Sequence, residues 1–215
     1  MIIKVNNQSL EVDGSHVLLH ELRAAGIDVP SMCYAEGAKH QASCMVCMVK
    51  NVQTGQMIPS CETMPQEGME IVTDSEEVQE LRRMGLELLL SDHKARCGVC
   101  DGKAKCRLRE LAIQMKAKWV RYSGPSSSVE EETIRVNGRL FFEPAKCIRC
   151  GLCVYNTEDG FTFVKRGFDM QVMIPDECRA NVDEGVAELC PTGALYPQPS
   201  ALSPQPSSEN GIMEI

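Results

Sequence analysis

The sequence lacks the features that mark several large classes of protein. Aromatic residues make up only 5% of its 215 residues, so a large aromatic core is not expected. No apolar run approaches the roughly 20 residues that a transmembrane helix needs. Acidic residues outnumber basic ones and leave a net charge of −8, which argues against nucleic acid or an anionic membrane as the main partner. We therefore predict no transmembrane segment and no nucleic-acid partner.

Nucleotide-binding and export motifs are also missing. The chain contains neither a G-x-G-x-x-G fingerprint nor a P-loop, so no dinucleotide or nucleotide site is predicted. Its first segment, MIIKVNNQSLEVDG, turns polar after three residues and does not resemble a signal peptide. We therefore expect a cytoplasmic protein, in which reduced cysteines serve metals and not disulfides.

Cysteine, by contrast, is abundant, with 12 residues in the chain. Eleven cysteines and one histidine fall into three sets of four, spaced C-x10-C-x2-C-x13-C, H-x3-C-x2-C-x5-C and C-x2-C-x2-C-x36-C-P. The first set is Cys33, Cys44, Cys47 and Cys61; the second is His93, Cys97, Cys100 and Cys106; the third is Cys147, Cys150, Cys153 and Cys190. Cys178 falls outside these spacings, and we predict a packing role for it.

The third set discriminates best between the metals that thiolates bind. Zinc is an alternative for every set, because thiolates suit zinc and iron–sulfur clusters alike. A [4Fe–4S] cluster is nevertheless the typical occupant of three cysteines that are each separated by two residues and followed at a distance by Cys-Pro. In two-cluster ferredoxins another cysteine follows four residues after the third and ligates the second cluster. That position is Thr157 here, so the third set predicts a single cluster that Cys190 completes.

The first set resembles a [2Fe–2S] ferredoxin loop, although its first gap has ten residues where the plant-type loop has four. The flanking segments IIKV and SLEVD predict a hairpin. SHVLLHELRAAG predicts a helix with Ser15 as its N-cap and Gly26 after its end. MVCMVKN and MEIVT predict two further strands. These elements predict a β-grasp domain over residues 1–73.

The second set is predicted to lie between two helices. DSEEVQELRRMGLELLLSDH predicts a helix with Asp74 as N-cap and Glu77 in a capping box, and apolar residues recur at helical spacing after Cys106. His93 is predicted as a ligand because imidazole also binds iron in cluster proteins. The four basic residues between positions 94 and 105 could offset the charge of a cluster or form a solvated loop. This helical domain is predicted over residues 74–122.

Two biased segments divide the rest of the chain. The Ser-rich stretch SGPSSSVEEE predicts a linker over residues 123–133, and a ferredoxin-like [4Fe–4S] domain is predicted over residues 134–196. The Ser- and Pro-rich end, residues 197–215, predicts a flexible tail. The predicted fold class is therefore α+β, with three cluster-binding domains in series.

Three motifs occur in the order of a known family: PSMCYAEG…ASCMVCMVKN…IPSC, DHKARCGVCDGKAKCRL and CIRCGLCVYN…AELCPTGAL. Over residues 1–196 the chain resembles the N-terminal part of the large iron–sulfur subunit of respiratory complex I. It is also similar to the small diaphorase subunit of NAD-reducing hydrogenases, and to the N-terminal regions of iron-only hydrogenases and NAD-dependent formate dehydrogenases. The resemblance implies one [2Fe–2S] cluster on the first set and a [4Fe–4S] cluster on each of the other two.

The resemblance also implies an electron-transfer subunit without a catalytic centre of its own. A flavoprotein subunit with FMN would oxidise NAD(P)H and pass single electrons to this chain, and a hydrogenase or formate dehydrogenase subunit would carry the terminal chemistry. The large catalytic domains that follow in several of these relatives are not seen here, and this slightly favours the hydrogenase type. A free-standing multi-cluster ferredoxin and a zinc-binding interaction module are the alternatives.

Overall fold

The computed structural model describes residues 1–93, 97, 100, 106–117, 121–122 and 132–197. Its first strands are β1 (Ile2–Val5), β2 (Gln8–Glu11), β3 (Met48–Asn51), β4 (Met57–Pro59) and β5 (Glu70–Val72). They form one sheet in the order β2-β1-β5-β3-β4, in which β1 and β5 are parallel and the other pairs are antiparallel. The predicted hairpin is confirmed, and it turns at Asn6 and Asn7, both of which have positive φ, a conformation that asparagine tolerates.

Helix α1 (Leu18–Ala24) packs on this sheet, and its Leu18, Leu19 and Leu22 are completely buried. Its predicted end is confirmed, because Gly26 has a φ of +77°, the left-handed conformation that glycine adopts readily after a helix. The predicted N-cap Ser15 is wrong. Val17 occupies the cap position without a side-chain hydrogen bond.

Tertiary contacts replace the missing cap of α1. The backbone N–H groups of Leu18 and Leu19 donate to the carbonyls of Thr63 and Ser60, at 2.7 and 2.8 Å. The first N–H groups of a helix have no partner within the helix, and here the neighbouring chain segment supplies one. A side-chain cap is therefore unnecessary.

Helices α2 (Glu76–Ser91) and α3 (Arg107–Gln114) form the helical pair predicted around the second set. The N-cap of α2 is Ser75 and not Asp74, since the Ser75 hydroxyl accepts a hydrogen bond from the backbone N–H of Val78 at 3.3 Å. The predicted capping box is wrong as well. Glu77 extends away from the cap and pairs with Lys50 Nζ at 2.6 Å.

The remaining residues form a small mixed unit. A three-stranded sheet of order β10-β7-β6 contains β6 (Ile134–Arg135), β7 (Leu140–Phe142) and β10 (Leu195–Pro197); β8 (Thr162–Val164) and β9 (Gln171–Met173) pair separately. Helix α4 (Leu152–Tyr155) and the 3₁₀ helices Pro144–Lys146, Gly167–Asp169, Asp176–Asn181 and Glu184–Leu189 complete it. The fold is therefore mixed α/β. Within the described ranges, no helix has the length and hydrophobicity needed to cross a membrane.

A central core connects these parts, and we define it by its buried residues: Met32, Cys33, Cys44, Val46, Leu86, Cys106, Leu108, Leu111 and Ile148. The half-buried Cys150 packs against it. Members of all three cysteine sets thus meet in one apolar cluster, although they come from distant parts of the chain.

Candidate iron–sulfur sites

The first cysteine set is assembled in one buried pocket. Cys33, Cys44, Cys47 and Cys61 are between 0% and 4% exposed, and all four are free thiols. The Sγ atoms of Cys33 and Cys44 lie 3.3 Å apart. The structure therefore brings together all four residues that the spacing grouped.

Hydrogen bonds within this pocket favour thiolates at two of its four positions. Hydrogen bonds from the thiols of Cys44 and Cys61 lower the pKa of Cys33 to about 2, and the backbone N–H groups of Cys44 and Ser43 add to this effect. A hydrogen bond from the Cys61 thiol lowers the pKa of Cys47 to about 6. Buried negative charge is costly unless a cation or metal compensates it, so the chemistry of this pocket suits a metal centre.

A buried cation, Arg82 of α2, lies beside this pocket. Its guanidinium Nε donates to the carbonyl of Met48 at 2.9 Å, and one terminal nitrogen is buried without a partner among the described residues. Burial lowers the pKa of Arg82, and the negative charge of Cys47 acts in the opposite direction. Sequence reasoning missed this residue, although its position between Val78 and Leu86 on the apolar face of α2 signalled burial.

The third cysteine set also comes together. Burial raises the pKa of Cys150 to about 12, and the negative charge of Cys190 adds to the rise. Burial likewise raises the pKa of Cys153, with further contributions from Cys147, Cys150 and Cys190. These mutual effects indicate that the thiols of the third set lie near one another, away from solvent.

Backbone N–H groups point at the sulfur atoms of the third set. The N–H of Arg149 donates to Cys147 Sγ at 3.3 Å, and the N–H of Leu195 donates to Cys190 Sγ at 3.4 Å. Such hydrogen bonds stabilise thiolates and tune iron–sulfur clusters. The loop that carries Arg149 turns its N–H inward, and Arg149 and Gly151 adopt positive φ angles of 55° and 82° there.

Cys178 has a different environment from Cys190. It lies in the 3₁₀ helix Asp176–Asn181 and packs against the apolar core of the C-terminal unit. Burial raises its pKa, and the carboxylates of Glu177 and Asp159 contribute to the rise. This position is consistent with the predicted packing role, which stays a prediction.

The second set is described only in part. Residues 94–96, 98–99 and 101–105, with the four basic residues, lie outside the described ranges. Burial raises the pKa of Cys106, and the negative charges of Cys100 and Cys97 add to the effect, so the three thiols are neighbours. His93 Nδ1 is buried and has no hydrogen-bond partner in the described part of the chain. Burial also lowers the pKa of His93, which favours the neutral imidazole that binds metals.

A polar contact connects the first set to the third. The backbone N–H of Lys39, within the ten-residue gap of the first set, donates to Asn156 Oδ1 at 2.9 Å, and Asn156 Nδ2 donates back to the Lys39 carbonyl at 2.7 Å. The Tyr155 hydroxyl donates to Gln41 Oε1 at 2.6 Å. The long first gap, which departs from the plant-type pattern, thus forms the contact with the end of α4.

The second and third sets are also connected. Arg149 forms an ion pair with Asp92, the residue before His93, and both side chains are largely buried. The backbone N–H of Arg107, at the start of α3, donates to the carbonyl of Pro191 at 2.7 Å. In both contacts, each of the two partners is the immediate neighbour of a predicted ligand in the chain.

Three family models match consecutive parts of the chain. Residues 1–76 match a 2Fe-2S iron-sulfur cluster binding domain, residues 82–121 match the NADH-ubiquinone oxidoreductase-G iron-sulfur binding region, and residues 140–196 match a 4Fe-4S single cluster domain. The chain therefore contains regions of both the [2Fe–2S] and the [4Fe–4S] binding type.

Curated relatives span most of this chain. It is 27% identical over 211 residues to an NADH-quinone oxidoreductase subunit of Rhizobium meliloti (strain 1021), in an alignment that covers 95% of this chain and 25% of that protein. It is 26% identical to the mitochondrial NADH-ubiquinone oxidoreductase 78 kDa subunit of Candida albicans, covering 95% of this chain and 29% of the relative. It is 30% identical to NADP-reducing hydrogenase subunit HndD of Solidesulfovibrio fructosivorans, in an alignment that covers 91% of this chain and 36% of that protein.

The chain spans only about a quarter to just over a third of the length of these relatives. A solved structure of similar fold is a chain of an NAD⁺-reducing [NiFe]-hydrogenase in its H₂-reduced state, with a TM-score of 0.81, 23% identity, and coverage of 94% of this chain and 90% of that one. The family models and the curated relatives confirm the resemblance to iron–sulfur subunits of NADH-quinone oxidoreductases and of a hydrogenase, and the solved structure confirms the fold.

Proposed function

We propose that this chain, a relative of iron–sulfur subunits of NADH-quinone oxidoreductases, is the iron–sulfur electron-transfer subunit of an NAD(P)-linked oxidoreductase complex. A flavoprotein subunit with FMN would oxidise NAD(P)H, and a catalytic subunit of hydrogenase or formate dehydrogenase type would exchange electrons with this chain. The central core is the observation that carries the proposal. Residues of all three cysteine sets pack in it, and electron transfer requires redox centres that are held close together.

The first set is proposed to hold one [2Fe–2S] cluster. Four free, buried thiols with backbone N–H groups directed at them fit the thiolate ligation and sulfur hydrogen bonding of such clusters. The surrounding sheet and helix α1 support the assignment of residues 1–73 as a β-grasp domain.

The other two sets are each proposed to hold a [4Fe–4S] cluster. Cys147, Cys150, Cys153 and Cys190 would be the ligands within residues 134–196; His93, Cys97, Cys100 and Cys106 would be the ligands within residues 74–122. The buried Nδ1 of His93, which has no partner among the described residues, supports its inclusion, because buried polar atoms normally have a partner. When bound, iron–sulfur clusters accept and release single electrons. The linker over residues 123–133 and the tail over residues 197–215 stay predictions, because they fall largely outside the described ranges.

The protein's own contribution is to position these sites and to set their electrostatics. The ion pair of Arg149 with Asp92 and the contact of Asn156 with Lys39 hold the sets in a fixed arrangement. Arg82 places a buried positive charge beside the first set. Hydrogen bonding, local charge and burial are the means by which proteins adjust cluster potentials.

Metal analysis of the anaerobically purified chain tests this proposal. One [2Fe–2S] and two [4Fe–4S] clusters correspond to about ten iron and ten sulfide ions per chain. Stoichiometric zinc with little iron would instead support the zinc-binding module. Size-exclusion chromatography of the native assembly distinguishes a subunit from a free-standing ferredoxin, which would elute alone.

A further inference from the structure

A group of side chains that could hold a metal ion lies at the start of α1, outside the three cysteine sets. His16, His20 and Glu21 each place one potential ligand atom within 4.8 Å of the others'. His20 and Glu21 belong to the first turns of α1, and His16 precedes the helix by two residues. The hydrogen bonds around each of the three side chains decide which atoms are free to bind a ligand.

His20 presents a ring nitrogen without a partner. Its Nε2 lies 3.1 Å from the Glu36 carboxylate, which can only accept, so Nε2 carries the proton of the neutral ring. The lone pair is then on Nδ1, which is buried and has no hydrogen-bond partner in the described part of the chain. A histidine that donates one N–H to a carboxylate while its other nitrogen is free has the arrangement of a metal-bound imidazole.

His16 is arranged in a similar way. Its Nδ1 lies 2.9 Å from the Ser15 hydroxyl, and that hydroxyl donates its proton to the Asp13 carboxylate. Ser15 Oγ therefore accepts from His16 Nδ1, which leaves the lone pair on Nε2. The exposed ring stacks on that of His20 with 4.1 Å between centroids, so the two histidines lie side by side.

Glu21 supplies the third ligand. It is only 7% exposed, and its Oε1 accepts a hydrogen bond from the backbone N–H of Gly14 at 3.0 Å. This hydrogen bond fixes the carboxylate and leaves its second oxygen available. A buried carboxylate next to two imidazoles needs a positive partner, and a metal ion would provide one.

We propose that His16, His20 and Glu21 form a binding site for a divalent transition-metal ion, with Zn²⁺ as the best match. Two imidazole nitrogens and one carboxylate oxygen are a common zinc ligand set, in which water takes the fourth position. The Asp13–Ser15 pair and Glu36 hold the two rings in the required tautomers from outside the site. The site lies between the segments that carry Cys33 and Cys61. Glu36, which contacts His20, follows Cys33 in the chain, and the start of α1 donates hydrogen bonds to Ser60 and Thr63 on either side of Cys61.

Zinc uptake by the full-length, cluster-loaded chain tests the proposal. The protein is dialysed anaerobically against chelator and then equilibrated with Zn²⁺ alone, and bound zinc and iron are both measured. We expect one zinc ion per chain with the iron content unchanged. His16→Ala, at an exposed position, should weaken zinc binding at least tenfold, and Glu36→Gln should weaken it roughly 10- to 100-fold, as for other residues that orient a ligand.

Glu62→Gln is the matched control, because Glu62 faces a different histidine, His40, at 3.6 Å. Zinc affinity should not change in this variant. X-ray absorption at the zinc edge should show only nitrogen and oxygen ligands at about 2.0–2.1 Å. The proposal is wrong if zinc binds equally to the wild type and to His16→Ala, if no zinc binds, or if sulfur ligands near 2.3 Å appear with loss of iron.

Discussion

Arg82 is the residue whose charge bears most directly on the proposed [2Fe–2S] site. Its buried guanidinium lies beside Cys47, where a positive charge stabilises the thiolates and any further electron added to the cluster. One of its terminal nitrogens has no partner in the described part of the chain, and a buried polar atom of this kind is usually satisfied.

Arg82→Met should lower the reduction potential of the [2Fe–2S] cluster by roughly 60 mV, one tenfold step for a one-electron couple. The physical reason is the loss of a buried positive charge near the electron that is added. Arg82→Lys, which keeps the charge, should show a smaller shift. EPR-monitored redox titration measures the potential, and Arg83→Met, which removes a half-exposed arginine paired with Glu80, should leave it unchanged. An equal reduction potential in wild type and Arg82→Met would show that the charge of Arg82 does not influence the cluster.

Two cysteines of the C-terminal unit should respond differently to the same substitution. Cys190→Ser should cost the chain about four iron ions, because Cys190 is proposed as the fourth ligand of the third set and oxygen is a poorer ligand for iron–sulfur clusters than thiolate. Cys178→Ser should keep the full iron content, because Cys178 is predicted to pack against the C-terminal core and not to bind iron. Iron and sulfide analysis distinguishes the two variants, and the opposite result would identify Cys178 as the ligand.

At the scale of secondary-structure elements, two helices hold the loop of the first set. Helix α2 passes so close to the loop that a Cβ atom on Gly85 would lie 2.9 Å from the backbone carbonyl oxygen of Cys44. Asn156 directly follows helix α4, and its side chain exchanges two hydrogen bonds with the backbone of Lys39. The loop that carries the predicted ligands is therefore packed from both sides.

Gly85→Ala should destabilise the chain, although alanine is the better helix former by about 1 kcal/mol. The added methyl group would collide with the Cys44 carbonyl, which is backbone and cannot rotate away. We expect a net loss of about 1–3 kcal/mol in the free energy of unfolding and weaker retention of the [2Fe–2S] cluster. Denaturant unfolding and iron analysis measure the two effects.

Gly138→Ala is the control for this substitution, since no atom lies within 4 Å of a Cβ built there. It should change the unfolding free energy by less than about 0.5 kcal/mol, as surface substitutions usually do. A Gly85→Ala variant as stable as wild type would mean that the loop can move away without cost.

Asn156→Ala should loosen the loop between Cys33 and Cys44 by about 1–2 kcal/mol, because two hydrogen bonds to Lys39 are lost. Amide hydrogen exchange should become faster across residues 37–42 in the cluster-loaded chain. Tyr155→Phe, which removes only the hydrogen bond to Gln41, should have a smaller effect. Unchanged protection in Asn156→Ala would show that the contact does not hold the loop.

At the scale of the whole molecule, the central core brings residues from all three cysteine sets into one cluster. Cys33 and Cys44 of the first set and Cys106 of the second lie in it, and Ile148 between two cysteines of the third completes it. The negative charge of Cys33 even contributes to the raised pKa of Cys150, so the first and third sets are in electrostatic contact. Clusters in these positions would exchange electrons across this shared core.

The isolated chain should be reduced by dithionite but not by NADH. NADH delivers two electrons as a hydride, whereas a cluster accepts one at a time, and a flavin is the usual group that separates the pair. The sequence shows no dinucleotide fingerprint. Visible absorbance should bleach with dithionite alone, and with NADH only after the flavoprotein subunit is added. Rapid bleaching by NADH in the flavin-free chain would contradict this and would reveal a nucleotide site.

The sequence alone predicted the grouping of the cysteines, because the types and spacing of thiol ligands follow the chemistry of the metal; the structure buries the four thiols of the first set together, and the ligand sets as such stay predictions. The sequence also determined the β1–β2 hairpin and the end of α1 at Gly26, which follow from backbone preferences of asparagine and glycine. Tertiary structure decided the rest. The N-caps predicted at Ser15 and Asp74 failed because a neighbouring segment or residue satisfies the same N–H groups. The contact of Asn156 with Lys39 and the central core join residues far apart in the chain, and such contacts depend on packing, which no local pattern encodes.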